Sequence, residues 1–168
     1  MRRWQAAIGT VVFFVVAPGT VAGLIPWWIS GWTVRASTSA LQRAGVVAGC
    51  LIILAGVAVL VRNFIRFVAE GGGTPAPPAP TDRLVIGGDY RYVRNPMYVA
   101  VVGIVLGQAL LFGSVALLLY GLVVWATTAA FVRWYEEPAL RDRYGAPYQE
   151  YCANVRAWLP RRTPWQAR

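Results

Sequence analysis

The chain has 168 residues, of which 57% are hydrophobic and only 14% charged. A soluble domain of this length needs far more surface charge, so the composition excludes a water-soluble enzyme or binding module and leaves a membrane class. The net charge is +9 and every basic residue is arginine, yet the arginines flank apolar runs instead of forming one patch, which sets nucleic-acid binding aside in favour of membrane topology.

The first apolar segment, about Ala6 to Ile29, is too long for the core of a signal peptide and is expected to be a first span. It contains Pro18-Gly19 and Pro26, which should kink or break a helix unless neighbours satisfy the freed carbonyls. Trp27, Trp28 and Trp32 follow, a cluster suited to the membrane interface. The second segment, about Leu41 to Phe67, ends in Arg62 and Arg66, which can snorkel to the interface. GGGTPAPPAPT (71–81) cannot be helical through its prolines and reads as an extended connector, and LVIGGDY (84–90) returns the chain to the membrane. A third segment, about Pro96 to Phe112, and a fourth, about Val115 to Tyr135, are separated only by Gly113-Ser114, which forces an antiparallel helical hairpin. Gly103 and Gly107 are spaced to let another helix approach closely.

The expected fold class is therefore all-α: an integral membrane bundle of about four transmembrane helices with short C-terminal interfacial helices. It forms a single membrane domain, with two spans in 1–69, a cytoplasmic connector in 70–95, the helical hairpin in 96–135 and a cytoplasmic, cofactor-closing tail in 136–168. In this arrangement Arg2, Arg3, Arg62, Arg66, Arg83, Arg91, Arg94 and every arginine from Arg133 onward share one side, against Arg35 and Arg43 on the other. The positive-inside rule places both termini in the cytoplasm, and a bacterial inner membrane is the expected location. Glu70, Asp82, Asp89, Glu136, Glu137, Asp142 and Glu150 all fall on that same side, and none lies in a span.

Two polar clusters stand at the cytoplasmic ends of the hairpin. In the first, YRYVRNPMY (90–98), Asn95-Pro96 is a helix-start signal, with asparagine able to cap and proline suited to the first helical position. Arg91 and Arg94 are either interfacial anchors within an aromatic belt or, with the helix N-terminal amides, an anion site that would fit a carboxylate. In the second, RWYEEPALRDRYGAPYQEYCANVRAWLPR (133–161), Pro138 is expected to end the helix at Glu136-Glu137, with Glu137 capping a new one. The two glutamates are either solvated charges or fixed acceptors for hydroxyls and amines. Leu140, Tyr144, Tyr148, Tyr151 and Val155 can line an apolar stripe beneath the bundle. The two clusters must lie close in space, with arginine and carboxylates converging near an apolar cavity mouth.

GGDYRYVRNPMY, a tight hairpin, and YEEPALRDRYGAPYQEYCANVRAWLP together resemble the C-terminal half of the isoprenylcysteine carboxyl methyltransferase family, and phospholipid N-methyltransferases are similar; the match covers roughly residues 84 to 161. The resemblance implies an integral membrane enzyme that uses S-adenosylmethionine in a cytosol-facing pocket, with a lipid or prenylated substrate entering sideways from the bilayer. Carried over by motif, it implies that Arg94, Asn95 and Tyr98 are catalytic. It implies that Tyr90, Arg91 and Pro96 shape the cofactor pocket, that Glu136 and Glu137 hold the cofactor through its hydroxyls or amino group, and that Tyr148 and Tyr151 close over it. One position departs from the pattern: Asn95 stands where the family usually has histidine, which removes any histidine proton relay.

The chain has no histidine, and Cys50 and Cys152 make neither a disulfide framework nor a zinc site, so no metal is expected. Methyl transfer needs alignment more than a base, which is worth about 7–11 kcal/mol. A carboxylate acceptor, already ionised at neutral pH, fits a site without histidine better than an amine or thiol. A phospholipid amine, a sterol reductase-like enzyme using NADPH, and a non-catalytic membrane scaffold remain as alternatives; the Glu136-Glu137 pair favours the methyltransferase over the reductase. A proton-coupled transporter should carry an acid within a span, and none is present.

Overall fold

The structure is a computed structural model, and it describes residues 16–34, 39–70, 84 and 86–166. All regular elements among these residues are helical. A helix broken by a π turn at Thr20–Leu24 continues as α1 (Ile25–Ser30); α2 is Ala40–Glu70, α3 Pro96–Phe112, α4 Val115–Phe131, α5 Glu137–Tyr144 and α6 Ala146–Asn154. A short 3-10 turn at Gly88–Arg91 precedes α3, and a second π turn, Val132–Glu136, joins α4 to α5.

Among the described residues, two helices are long and apolar enough to cross a membrane, Ala40–Arg66 and Val115–Tyr144; α3 is apolar but shorter. Of the four expected spans, then, two are present at full length and the third is a 17-residue helix. The first falls partly outside the described residues, as does the 71–81 connector. The chain is a membrane protein by its surface as well. Val47, Leu51, Leu54, Val57, Val61 and Ile65 form an exposed stripe along α2, and Leu118, Leu119, Leu122 and Val123 another on α4. In water such stripes are a liability; against lipid they are the ordinary outer face.

The inner face of α2 is built from small residues. A Cβ on Gly49 would lie 2.5 Å from the Gly107 carbonyl oxygen and 2.8 Å from the Leu111 nitrogen, and one on Gly56 would lie 2.6 Å from Ile104 Cγ1. α2 thus rests on the backbone of α3, as helices do in lipid, where close van der Waals packing replaces the hydrophobic drive between them. The expected glycine seam is real at Gly107 but not at Gly103, where the nearest atom to an added Cβ is 3.9 Å away. α3 is the central helix, with Ala100, Val102, Ile104, Val105 and Ala109 buried between α2 and α4. The hairpin to α4 closes as its sequence requires: Gly113 takes a left-handed conformation at φ +59, and Ser114 Oγ caps α4 by accepting from the Leu117 amide.

Both π turns sit two residues ahead of a proline. Ile25 N–H bonds Thr20 O, five residues back, and Pro26 has no N–H, so the Val21 and Ala22 carbonyls lose their α-helical donors. Tyr120 donates to Val21 O at 2.9 Å and Gln108 to Ala22 O at 2.7 Å, which fastens this helix to α4 and α3. This is the rescue by neighbours that Pro26 demands. At the second turn Glu137 N–H bonds Val132 O, and the helix continues through Pro138 to Tyr144. The expected helix end at Glu136-Glu137 is therefore corrected: the extra residue of the π turn absorbs the proline, and neither glutamate makes a side-chain cap.

Candidate active site at the polar end of the hairpin

The 3-10 turn Gly88–Arg91 carries Tyr90 and Arg91, and it is pinned from outside the hairpin. Arg62 grips the Asp89 carboxylate with two nitrogens, at 3.0 and 2.5 Å, and the buried Asn63 donates to the same carboxylate at 2.8 Å. Gly88, at φ +58, lets the Arg66 guanidinium pass so close that a Cβ there would meet its Cζ at 2.8 Å. The polar end of α2, expected to snorkel, thus positions the turn.

From there the chain enters α3 and meets the end of α4. Arg94 Nη2 donates to Glu137 Oε1 at 2.8 Å, with side chains 14% and 9% exposed, so this is a largely buried ion pair. Exposed Arg133 and Arg141 approach the other Glu137 oxygen at 3.9 and 3.5 Å. Tyr98 donates its hydroxyl to Glu136 Oε2 at 3.2 Å. In a straight α-helix adjacent side chains diverge by about 100°; across the π turn both glutamates engage the first turn of α3 and its approach. Arg94 Nε is buried and has no hydrogen-bond partner among the described residues.

The tail closes the arrangement from below. After α6 it runs antiparallel to residues 91–94, with Arg94 N donating to Arg156 O, Arg161 N to Tyr92 O and Trp165 N to Arg91 O, at 2.8–2.9 Å. Tyr151 donates to Tyr90 O at 2.7 Å. Tyr148, Tyr151, Val155 and Trp165 form a buried cluster, with Leu140 and Tyr144 packed against it, so the expected stripe exists. Burial raises the Tyr90, Tyr148 and Tyr151 phenols above their ordinary range, and the Glu136 charge adds to this for Tyr90. All three are neutral hydroxyls near pH 7, groups that donate hydrogen bonds rather than accept protons.

The residues singled out in the sequence divide into two groups. Arg94, Tyr98, Glu136 and Glu137 are brought together directly, and buried Pro96 starts α3 beside them. Tyr90, Tyr148 and Tyr151 pack where the tail meets the 88–94 segment. Arg91 is turned to the tail: its Nε donates to Trp165 O at 2.8 Å, and it lines a groove of about 560 Å³ with Leu84, Ile86, Gly87, Trp165 and Gln166. Asn95 does not cap α3; its Nδ2 donates to Ala157 O at 3.1 Å, holding the tail. Sequence reasoning missed Asp89, Asn63, Trp158 and Trp165. Only Asp89 carried a signal, as the acid within the GGDYRYVRNPMY motif, and the rest are defined by long-range contacts.

The arrangement offers an acceptor, Glu136, and an unsatisfied donor, Arg94 Nε, at the end of an apolar hairpin. That pairing is complementary to a zwitterionic amino acid group such as the one S-adenosylmethionine carries, so the residues present fit that cofactor. No curated protein and no solved structure matches the chain. A family model described as phospholipid methyltransferase matches residues 44–147, from the start of the glycine face of α2 through the paired glutamates into the first turn of α6. The match spans more than half of the chain and implies a methyltransferase; the chain belongs to the phospholipid methyltransferase family.

Proposed function

We propose that this protein transfers a methyl group from S-adenosylmethionine to a lipid-like or prenylated acceptor, most readily a carboxylate, at the cytoplasmic face of the membrane. The reading is carried by one observation: the Arg94–Glu137 ion pair and the Tyr98–Glu136 hydrogen bond occupy the junction of both hairpin legs. Among the described residues, Glu136 Oε1 and Arg94 Nε have capacity left for a ligand. Glu136 would hold the amino group or hydroxyls of the cofactor, and Arg94 its carboxylate or that of the acceptor. Tyr90, Tyr148 and Tyr151 would bound the pocket. The bound cofactor supplies an electrophilic methyl group, and the chain supplies alignment and a dry, cation-tolerant surface.

A carboxylate acceptor needs no proton removed, which suits a chain without histidine. The acids and most arginines then face the cytoplasm of a bacterial inner membrane, with both termini on that side. A second reading, methylation of a phospholipid amine, is favoured by the description of the family and by Glu136, a half-buried carboxylate able to accept the proton an ammonium must lose.

Calorimetry of the detergent-purified protein with S-adenosylmethionine, followed by transfer of labelled methyl to a prenylcysteine, a phosphatidylethanolamine and a thiol, tests both readings. Binding of the cofactor but not of NADPH, lost in Glu136→Gln, is the expected result. A protein that ignores S-adenosylmethionine, or binds it equally well without the Glu136 charge, would overturn the assignment. The ranking of the acceptors decides between carboxylate and amine.

A further inference from the structure

Two consecutive residues of the tail hold the entry to α3: Arg156, whose carbonyl accepts from Arg94 N, and Ala157, whose carbonyl accepts from Asn95 Nδ2. The next residue is Trp158. Its ring is half-buried, 6.5 Å from the ring of Tyr98 and 6.3 Å, edge-on, from that of Trp125. Tyr98 holds Glu136 through its hydroxyl, while Trp125 lies within α4 and is 45% exposed, among the leucines and valines of its lipid-facing stripe. The three rings make a continuous aromatic path from the exposed apolar face of α4 to the Glu136 carboxylate. Aromatic pairs at these separations are in attractive contact. Trp158 is its middle member, and it comes from the tail, not from the bundle.

We infer that Trp158 is the side wall of the acceptor's route from the bilayer, and that its bulk sets which apolar chain can lie beside Tyr98 and Glu136. The inference rests on the proposed methyl transfer to a bilayer-borne acceptor. An aromatic wall offers apolar contact to an acyl or prenyl chain without a buried polar group that must find a partner. Because Arg94 and Asn95 fix the two preceding residues, Trp158 is held in register with the reacting groups. Trp158 is thus a specificity-determining residue, with Asn95 positioning it.

Two measurements on the full-length protein test this. In the first, Trp158→Ala and Trp158→Phe are assayed with cysteine carboxylates bearing geranyl, farnesyl and geranylgeranyl chains and with phosphatidylethanolamine. Trp158→Ala should change the ratio of KM values between the shortest and longest chains by about tenfold or more, the scale of discrimination a hydrophobic wall provides. It should leave kcat for the preferred acceptor and the calorimetric affinity for S-adenosylmethionine near wild type, and Trp158→Phe should restore the original ranking. An unchanged ranking in Trp158→Ala overturns the inference. In the second, tryptophan emission is quenched by phospholipids brominated along the acyl chain. Trp158→Phe should remove more of the quenched component than Trp165→Phe, which deletes a tryptophan buried in the tail cluster. If the two variants quench alike, the wall does not meet lipid and the inference fails. If wild-type protein methylates none of the acceptors, the functional reading fails instead, and the quenching alone decides whether Trp158 faces the bilayer.

Discussion

Arg94 and Glu137 define what the residue scale contributes. Removing one partner of a buried ion pair strands the other charge, which costs about 3–5 kcal/mol, whereas replacing both by apolar side chains is often neutral. Glu137→Ala is therefore expected to lower the melting temperature in detergent sharply, and Arg94→Met with Glu137→Leu to recover most of that loss while abolishing cofactor binding. Recovery of stability without binding separates a functional pair from a structural one; a double variant that still binds S-adenosylmethionine would remove Arg94 from the site. Arg133 and Arg141 are 70% and 49% exposed, and each should matter little by itself. Asn95 supports a second prediction. Its side chain serves the Ala157 carbonyl and needs only an N–H donor, which histidine also has. Asn95→His should keep the tail docked, whereas Asn95→Ala should cost about 1 kcal/mol and expose the tail to protease. Equal protease sensitivity in the two variants would show that the hydrogen bond does not hold the tail.

At the scale of elements, the glycines of α2 carry the strongest expectation. A Cβ on Gly49 meets backbone atoms of α3, which cannot turn aside, so Gly49→Ala should separate the helices and destabilise the protein by about 1–3 kcal/mol. Gly103→Ala, with 3.9 Å to its nearest neighbour, should be close to neutral. Thermal unfolding of the two variants side by side checks the contrast, and a Gly103 variant as damaged as the Gly49 variant would contradict the packing. The hairpin, its Gly113-Ser114 turn and the tyrosine stripe were legible in the sequence because each depends on residues close in the chain. The outcome at Pro138 was not. Proline forbids one hydrogen bond but does not dictate the remedy, and a π turn satisfies the constraint as well as a break does. The same ambiguity hid the partner of Gly107: a small-residue spacing marks a face, not the helix that will cover it.

For the molecule as a whole, the open question in the sequence was what the segments ahead of the hairpin do, since the visible motif begins near residue 84. The family match begins at residue 44, inside α2, and the structure supplies the physical reason. α2 covers α3 through its glycine face, and its polar end holds the turn that leads into the site. That end is joined to the tail by a chain of contacts: Arg62 and Asn63 to Asp89, Tyr90 O to Tyr151, Arg91 to Trp165, and Arg94 to Arg156. Asp89 is the first link. Asp89→Ala leaves the Asn63 amide, in a residue only 1% exposed, with the Val59 carbonyl as its one remaining acceptor, and it releases both nitrogens of Arg62. The consequence should appear far from the substitution. Hydrogen–deuterium exchange should rise in residues 88–94 and also in 156–165, which bond to each other, while α3 and α4 stay protected because their packing does not pass through Asp89. Affinity for S-adenosylmethionine should fall with the loosened tail, although no proposed cofactor contact has been removed. Faster exchange confined to 88–94, with the tail and the affinity unchanged, would mean that α2 only covers the hairpin and takes no part in holding the site closed.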